Sequence, residues 1–269
     1  MNLSSLLALP IVLPSIPKVI ALLLSELDRP EPDLQQITEL ISSDLALTTR
    51  LLKYANAGYF QMSGKISSAS EALAVLGMSH IRAIASEAAS DASLKTLPGI
   101  QLQQFWAYSL HVARLSRLYA GLIQHNQVSA FTCGLVHGIG ELMMHAGMPS
   151  QMALMNMVSA PLHLKRGESE FAHFGFSYAQ ASGAYAKKWL FPKDMVDALE
   201  NFDAPFQNNV YEPLSGIIHL AAWRARAELD RLTDSELSVT FPSMVGEVLD
   251  LDMDTVLQQS PFDWSAVVR

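Results

Sequence analysis

Leu135-Val136-His137-Gly138-Ile139-Gly140-Glu141-Leu142 is the stretch on which the reading of this chain turns. It lies within an apolar run whose periodicity predicts one helix over about 128–146. The octapeptide carries one imidazole, and the next residue, Gly138, has no side-chain atom that could act as a ligand. Glu141 sits one turn beyond His137, so an i,i+4 His–Glu pair can form. Its own residue type points rather to a surface or capping role. Cys133 sits one turn before His137. A Cys–His dyad would be nucleophilic if the imidazole lowered the thiol pKa. Here the neighbours Phe131, Leu135 and Val136 predict a buried small residue instead. His137 reads as an interior imidazole with a hydrogen-bond partner, since an unpaired buried one is costly.

The surrounding composition fits a buried core. Of 269 residues, 50% are hydrophobic and 16% charged, and mean hydropathy is +0.20. A net charge of −8 speaks against bulk binding to a phosphate backbone, so no nucleic-acid partner is expected. The single cysteine excludes an intrachain disulfide and suits a reducing cytosol. Residues 3–24 are mostly apolar, but Pro10, Pro14 and Pro17 interrupt them and no basic residue precedes them. An unbroken apolar span of roughly 20 residues is absent, so neither a membrane span nor a membrane partner is expected. No P-loop, dinucleotide fingerprint or CxxC pair occurs.

Helical periodicity continues along nearly the whole chain. Pro17 suits the first turn of a helix carrying Leu22, Leu23 and Leu27. Asp33 with Gln36 and Ser68 with Glu71 form capping-box patterns, Ser43 and Asp44 offer a further N-cap, and Gly77 ends a short helix. Later helices are predicted over about 80–90, 102–123, 177–190, 192–202 and 213–232. Residues 91–100, with Pro98-Gly99, mark the best boundary between two helical parts. His163 and His173 are expected in loops, and the last 30 or so residues have weak periodicity.

Several spaced motifs now fall into one pattern. Leu13-Pro14-Ser15-Ile16-Pro17 is a proline-rich opening, and Ser43-Asp44 leads to Leu51-Leu52-Lys53-Tyr54-Ala55-Asn56-Ala57-Gly58-Tyr59-Phe60. Lys65-Ile66-Ser67-Ser68 follows, with Ala72, Leu76-Gly77 and Ile81, then Phe105-Trp106, the His137 stretch and Trp189-Leu190-Phe191-Pro192. Over about 11–205 the chain resembles the HDOD domain, a bacterial helical output domain related to HD-type phosphohydrolases. The resemblance implies an all-α fold of two helical subdomains. The first would span 1–95, an HD-like helical bundle 96–209, and a C-terminal helical extension and tail 210–269.

The resemblance also implies where metal ligands would stand. In HD hydrolases a histidine and aspartate follow one another in the signature helix; here those places are His137 and Gly138. The histidine from the preceding helix matches Tyr108, and a further one matches Tyr178. A later histidine pair falls at Phe202 and Asp203, and a late aspartate at Ala222, after His219-Leu220-Ala221. One imidazole of the set survives, with Asp203 as a stray carboxylate. A hydrolytic metal needs several ligands and an open position for water. The expectation is therefore a module without catalytic residues, bound metal or cofactor. It would serve signal transduction or regulation by binding a signalling protein partner or a small ligand. His111, Glu141, Asn56, Tyr59 and Lys65 are the candidate contacts. The alternative is a metal-dependent phosphohydrolase with a rearranged ligand set, built from His137, His111, Glu141 and Asp203.

Overall fold

The computed structural model describes residues 1–57, 64–91, 96–207 and 211–258. Every regular element among them is helical; the one β-type pairing is an isolated bridge between Leu97 and Ile100. No helix among them is long and apolar enough to cross a membrane.

The first part holds α1 (Leu3–Leu7), α2 (Pro17–Leu27), α3 (Leu34–Ser42), α4 (Leu45–Ala55) and α5 (Ala69–Asp91). Pro17 opens α2, as its missing N–H allows. Asp33 caps α3 through the Gln35 and Gln36 amides. Asp44 caps α4 through the Ala46 and Leu47 amides and also accepts the Ile16 amide at 2.5 Å, tying the proline-rich opening to α4. Ser68 caps α5 by accepting the Glu71 amide, while the Glu71 carboxylate returns to Ser67, one residue earlier than the capping-box pattern places it. At Gly77 the backbone leaves the helical conformation, with φ 70° and ψ 167°, so α5 is two helices meeting at a kink, the first ending where the sequence places its end.

The second part holds α6 (Leu102–Leu122), α7 (Gln127–Val136), α8 (Ile139–Gly147), α9 (Pro149–Val158), α10 (Arg166–Phe174), α11 (Tyr178–Lys188) and α12 (Lys193–Asn201). After these come α13 (Pro213–Leu229), α14 (Asp234–Thr240), α15 (Ser243–Leu249) and α16 (Met253–Leu257). The long α6 packs against α7 and α13, and α11 packs against α8 and α12. The small helix α1 lies on α8 and α11, where the Tyr185 hydroxyl donates to the Leu6 carbonyl at 3.0 Å. One apolar core runs through both parts, from Leu6 to Val256. The weakly periodic C-terminal residues do fold as far as 258: Tyr119 donates to the Val256 carbonyl at 3.1 Å.

The single helix expected over 128–146 is two helices, broken at His137 and Gly138. The break is made by α11. At Gly140 an added Cβ would lie 2.0 Å from the Tyr178 carbonyl oxygen and 2.7 Å from the Ser182 nitrogen, so α8 and α11 cross at backbone contact. The Ser182 hydroxyl lies 2.7 Å from the His137 carbonyl and accepts the Gly140 N–H at 2.9 Å. One side chain thus serves both backbone groups that the break would otherwise leave bare. His173, expected in a loop, belongs to α10.

Candidate functional site

The break between α7 and α8 turns His137 into the interior, where it is fully buried. Its Nδ1 lies 2.6 Å from the Gly134 carbonyl, an acceptor only, so Nδ1 carries the proton. Nε2 is left as the acceptor for the Tyr108 hydroxyl at 3.3 Å. Burial lowers the imidazole pKa to about 3, so the ring is neutral at physiological pH. Tyr108 and Phe202 pack edge-on against it, each with ring centroids 5.3 Å away. Tyr178 continues the cluster at 5.6 Å from Phe202. The structure therefore gathers Tyr108, His137, Tyr178 and Phe202 into one aromatic block.

Arg226, which sequence reasoning missed, closes this block. Its guanidinium carbon lies 5.6 Å from the Tyr108 ring centroid and 5.9 Å from that of Tyr178, while Nη2 donates to the Tyr178 hydroxyl at 2.6 Å. The side chain is 8% exposed. The signal was present in the sequence: His219, Ala222, Trp223 and Arg226 recur at helical spacing and share one face of α13.

That face of α13 borders a cavity of about 710 Å³, lined also by Tyr178, Phe202 and Asp203. Asp203 accepts a hydrogen bond from the Ser177 hydroxyl at 2.6 Å, and burial raises its pKa. His219 donates from Nδ1 to the Phe202 carbonyl at 2.7 Å. The volume falls within the usual range for small-molecule sites.

These residues do not fit the metal implied by the HD relationship. Both nitrogens of His137 are engaged, and burial raises the pKa of Tyr108 and Tyr178, so neither phenol ionises readily. A Cβ at Gly138 would stand 2.7 Å from Phe105 Cζ, which occupies the place where an aspartate would begin. Among the described residues no group of three or more His, Cys, Asp or Glu side chains could hold a metal ion.

The rearranged ligand set fares no better, because its members are held in separate networks. His111 does not turn toward His137; its Nε2 pairs with Glu228 at 2.9 Å. Glu141 is neither a surface nor a capping residue but is buried, 1% exposed, with Oε1 2.7 Å from Arg166 Nη2 and 3.1 Å from His145 Nε2. Arg166, itself fully buried, also donates from Nε to Glu170 at 2.7 Å. Burial and the neighbouring Glu141 push the Glu170 pKa well up, so the two carboxylates share one counterion without both being charged. Cys133 is buried, and that burial raises its thiol pKa, the opposite of activation.

The N-terminal candidates divide. Asn56 cannot meet a partner: it is fully buried, donates to the Leu52 and Ile66 carbonyls, and accepts the Lys65 and Ile66 amides. It is the clasp of the turn after α4. Lys65 is exposed, and Tyr59 lies outside the described residues.

An all-helical fold with Tyr108, His137, Tyr178 and Phe202 packed into one block has the helical HD-like architecture. The HDOD domain matches residues 13–205, and the chain belongs to that family. An uncharacterized protein of Treponema pallidum (strain Nichols) is 23% identical over 212 residues, covering 78% of this chain and 41% of the relative. The chain thus spans less than half the length of that relative. MmoQ response regulator from Methylococcus capsulatus str. Bath superposes with a TM-score of 0.73 at 20% identity, covering 93% of this chain and 100% of the other. A virulence factor from Campylobacter jejuni superposes with a TM-score of 0.70 at 15% identity, covering 98% of both chains. At such identities the likeness establishes a common fold.

Proposed function

We propose that this chain is a non-catalytic HDOD regulatory module. A small ligand occupies the cavity beside the aromatic block, and a signalling partner protein reads the occupied state. One observation carries the reading: where HD hydrolases place metal donors, this chain has a packed set of rings and a guanidinium, yet the adjoining cavity stays open. Loss of donors with retention of a pocket favours binding over bond cleavage. A hydrolase would need donors that converge, and His137, His111, Glu141 and Asp203 each answer to other partners.

Thermal-shift screening of a metabolite panel against wild type and Ala222→Phe tests this, since Ala222 lines the cavity and a ring there fills it. Wild type is expected to be stabilised by at least one compound that leaves the filled variant unmoved. Equal responses of the two proteins would sink the reading. So would a metal-dependent phosphohydrolase activity of wild type that His137→Ala abolishes.

A further inference from the structure

We infer that the ligand of this cavity is a small organic anion, a carboxylate or phosphate on an apolar body, whose charge is met by the Arg226 guanidinium. The inference rests on the reading of the cavity as a ligand site and names the chemistry it selects.

The first ground is an unbalanced charge. Arg226 is buried, yet no carboxylate among the described residues forms an ion pair with it, and its Nε has no hydrogen-bond partner. Glu141 and Asp203 act on it only from beyond contact distance, and a buried cation without a contacting counterion is costly. The faces of Tyr108 and Tyr178 and one phenol hydroxyl offset part of that cost, but they use only one of the five N–H donors of a guanidinium. The other buried arginine of this half, Arg166, is by contrast paired with two carboxylates. An anion entering the cavity would give Arg226 what Glu141 and Glu170 give Arg166.

The second ground is the shape and lining of the space. The cavity of about 710 Å³ exceeds what a bare inorganic anion needs. Its walls include Phe171 and Trp223, surfaces against which an apolar or aromatic body can lie. Gln180 and Gln207 supply neutral hydrogen-bonding groups for orientation. The carboxylates of Glu168 and Glu200 also border the space, but both residues are exposed, as is Lys165, so water and salt screen them. Asp203 also borders the space and would favour a ligand with a donor group beside its anionic one. The guanidinium fork suits the planar, two-oxygen edge shared by carboxylates and phosphates.

Matched probes decide this. Benzoate against benzamide compares an anion with a nearly isosteric neutral body, AMP against adenosine compares the same body with and without its phosphate, and inorganic phosphate tests the anion alone. Binding is read from the fluorescence of Trp223, which lines the cavity, and from thermal shift. In wild type at least one anion is expected to bind about tenfold more tightly than its neutral counterpart. Arg226→Met should erase that ratio, and Arg226→Lys should retain part of it. The wild-type ratio stands even if Arg226→Met does not fold, because it needs no variant. Neutral and charged members binding alike would overturn the anion inference while leaving the cavity a ligand site. An anion preference that persists in folded Arg226→Met would overturn the assignment to Arg226. No response to any probe up to about 10 mM overturns it as well. Should wild type also be silent across the metabolite panel, the ligand-site reading falls with it.

Discussion

Arg226 donates a hydrogen bond of 2.6 Å to the hydroxyl of Tyr178 in a space both residues bury. It joins α13 to the first residue of α11 and puts a permanent positive charge against the rings that surround His137. Hydrogen bonds to a charged group are worth about 1.5–3 kcal/mol, roughly twice those between neutral groups. Tyr178→Phe keeps the ring and removes only that bond. Urea unfolding should show a loss of about 1.5–3 kcal/mol, against about 0.5–1.5 kcal/mol for Tyr108→Phe, which loses the neutral bond to His137. A smaller cost for Tyr178→Phe than for Tyr108→Phe would contradict the assignment.

An aspartate placed at position 138 is not expected to create a hydrolase. The Phe105 ring stands 2.7 Å from where a Cβ at position 138 would be, so Gly138→Asp overpacks a full core before its carboxylate meets any metal. A loss of about 1–3 kcal/mol is expected in chemical denaturation, relieved when Phe105→Ala is added. Assays with manganese and a chromogenic phosphate ester should show no activity in the single variant. Measurable metal-dependent turnover there would refute the site geometry.

The Glu141–Arg166–Glu170 network should be the most sensitive point of the second part. Removing Arg166 leaves the buried Glu141 and Glu170 side chains, which hold one negative charge between them, without the cation that meets it. Arg166→Ala is expected to cost about 3–5 kcal/mol, and Glu141→Gln in the same chain should recover part of that. Midpoints of thermal unfolding for the two variants test the order; a double variant no more stable than the single one would argue against the pairing.

Acid should weaken the fold through His137. The unfolded imidazole takes up a proton below its ordinary value of 6.5, whereas the buried ring resists it down to about 3. Between those values the unfolded chain binds more protons, so stability falls as the pH falls, by about 1.4 kcal/mol per pH unit for this group. His137→Gln keeps a polar side chain without the titration. Its stability profile between pH 6 and pH 4 should be shallower than that of wild type by about that slope. Parallel profiles would show that His137 does not stay neutral.

The sequence alone determined the helical class, the family and most helix starts. Pro17, Asp33 and Asp44 act within a turn of themselves, and a cap or a period of 3.6 residues is legible wherever it is local. Of the positions singled out through the resemblance, Tyr178, Phe202, Asp203 and Ala222 border the cavity. Only the tertiary structure decided what that place contains. The helix over 128–146 breaks because Ser182, 45 residues beyond His137, supplies the hydrogen bonds that make a break cheap. Glu141 is buried because Arg166 meets it from another helix, and Arg226 faces the cavity because α13 folds back on α6. Burial of a charge depends on which distant group neutralises it, and no local pattern of residues records that distance.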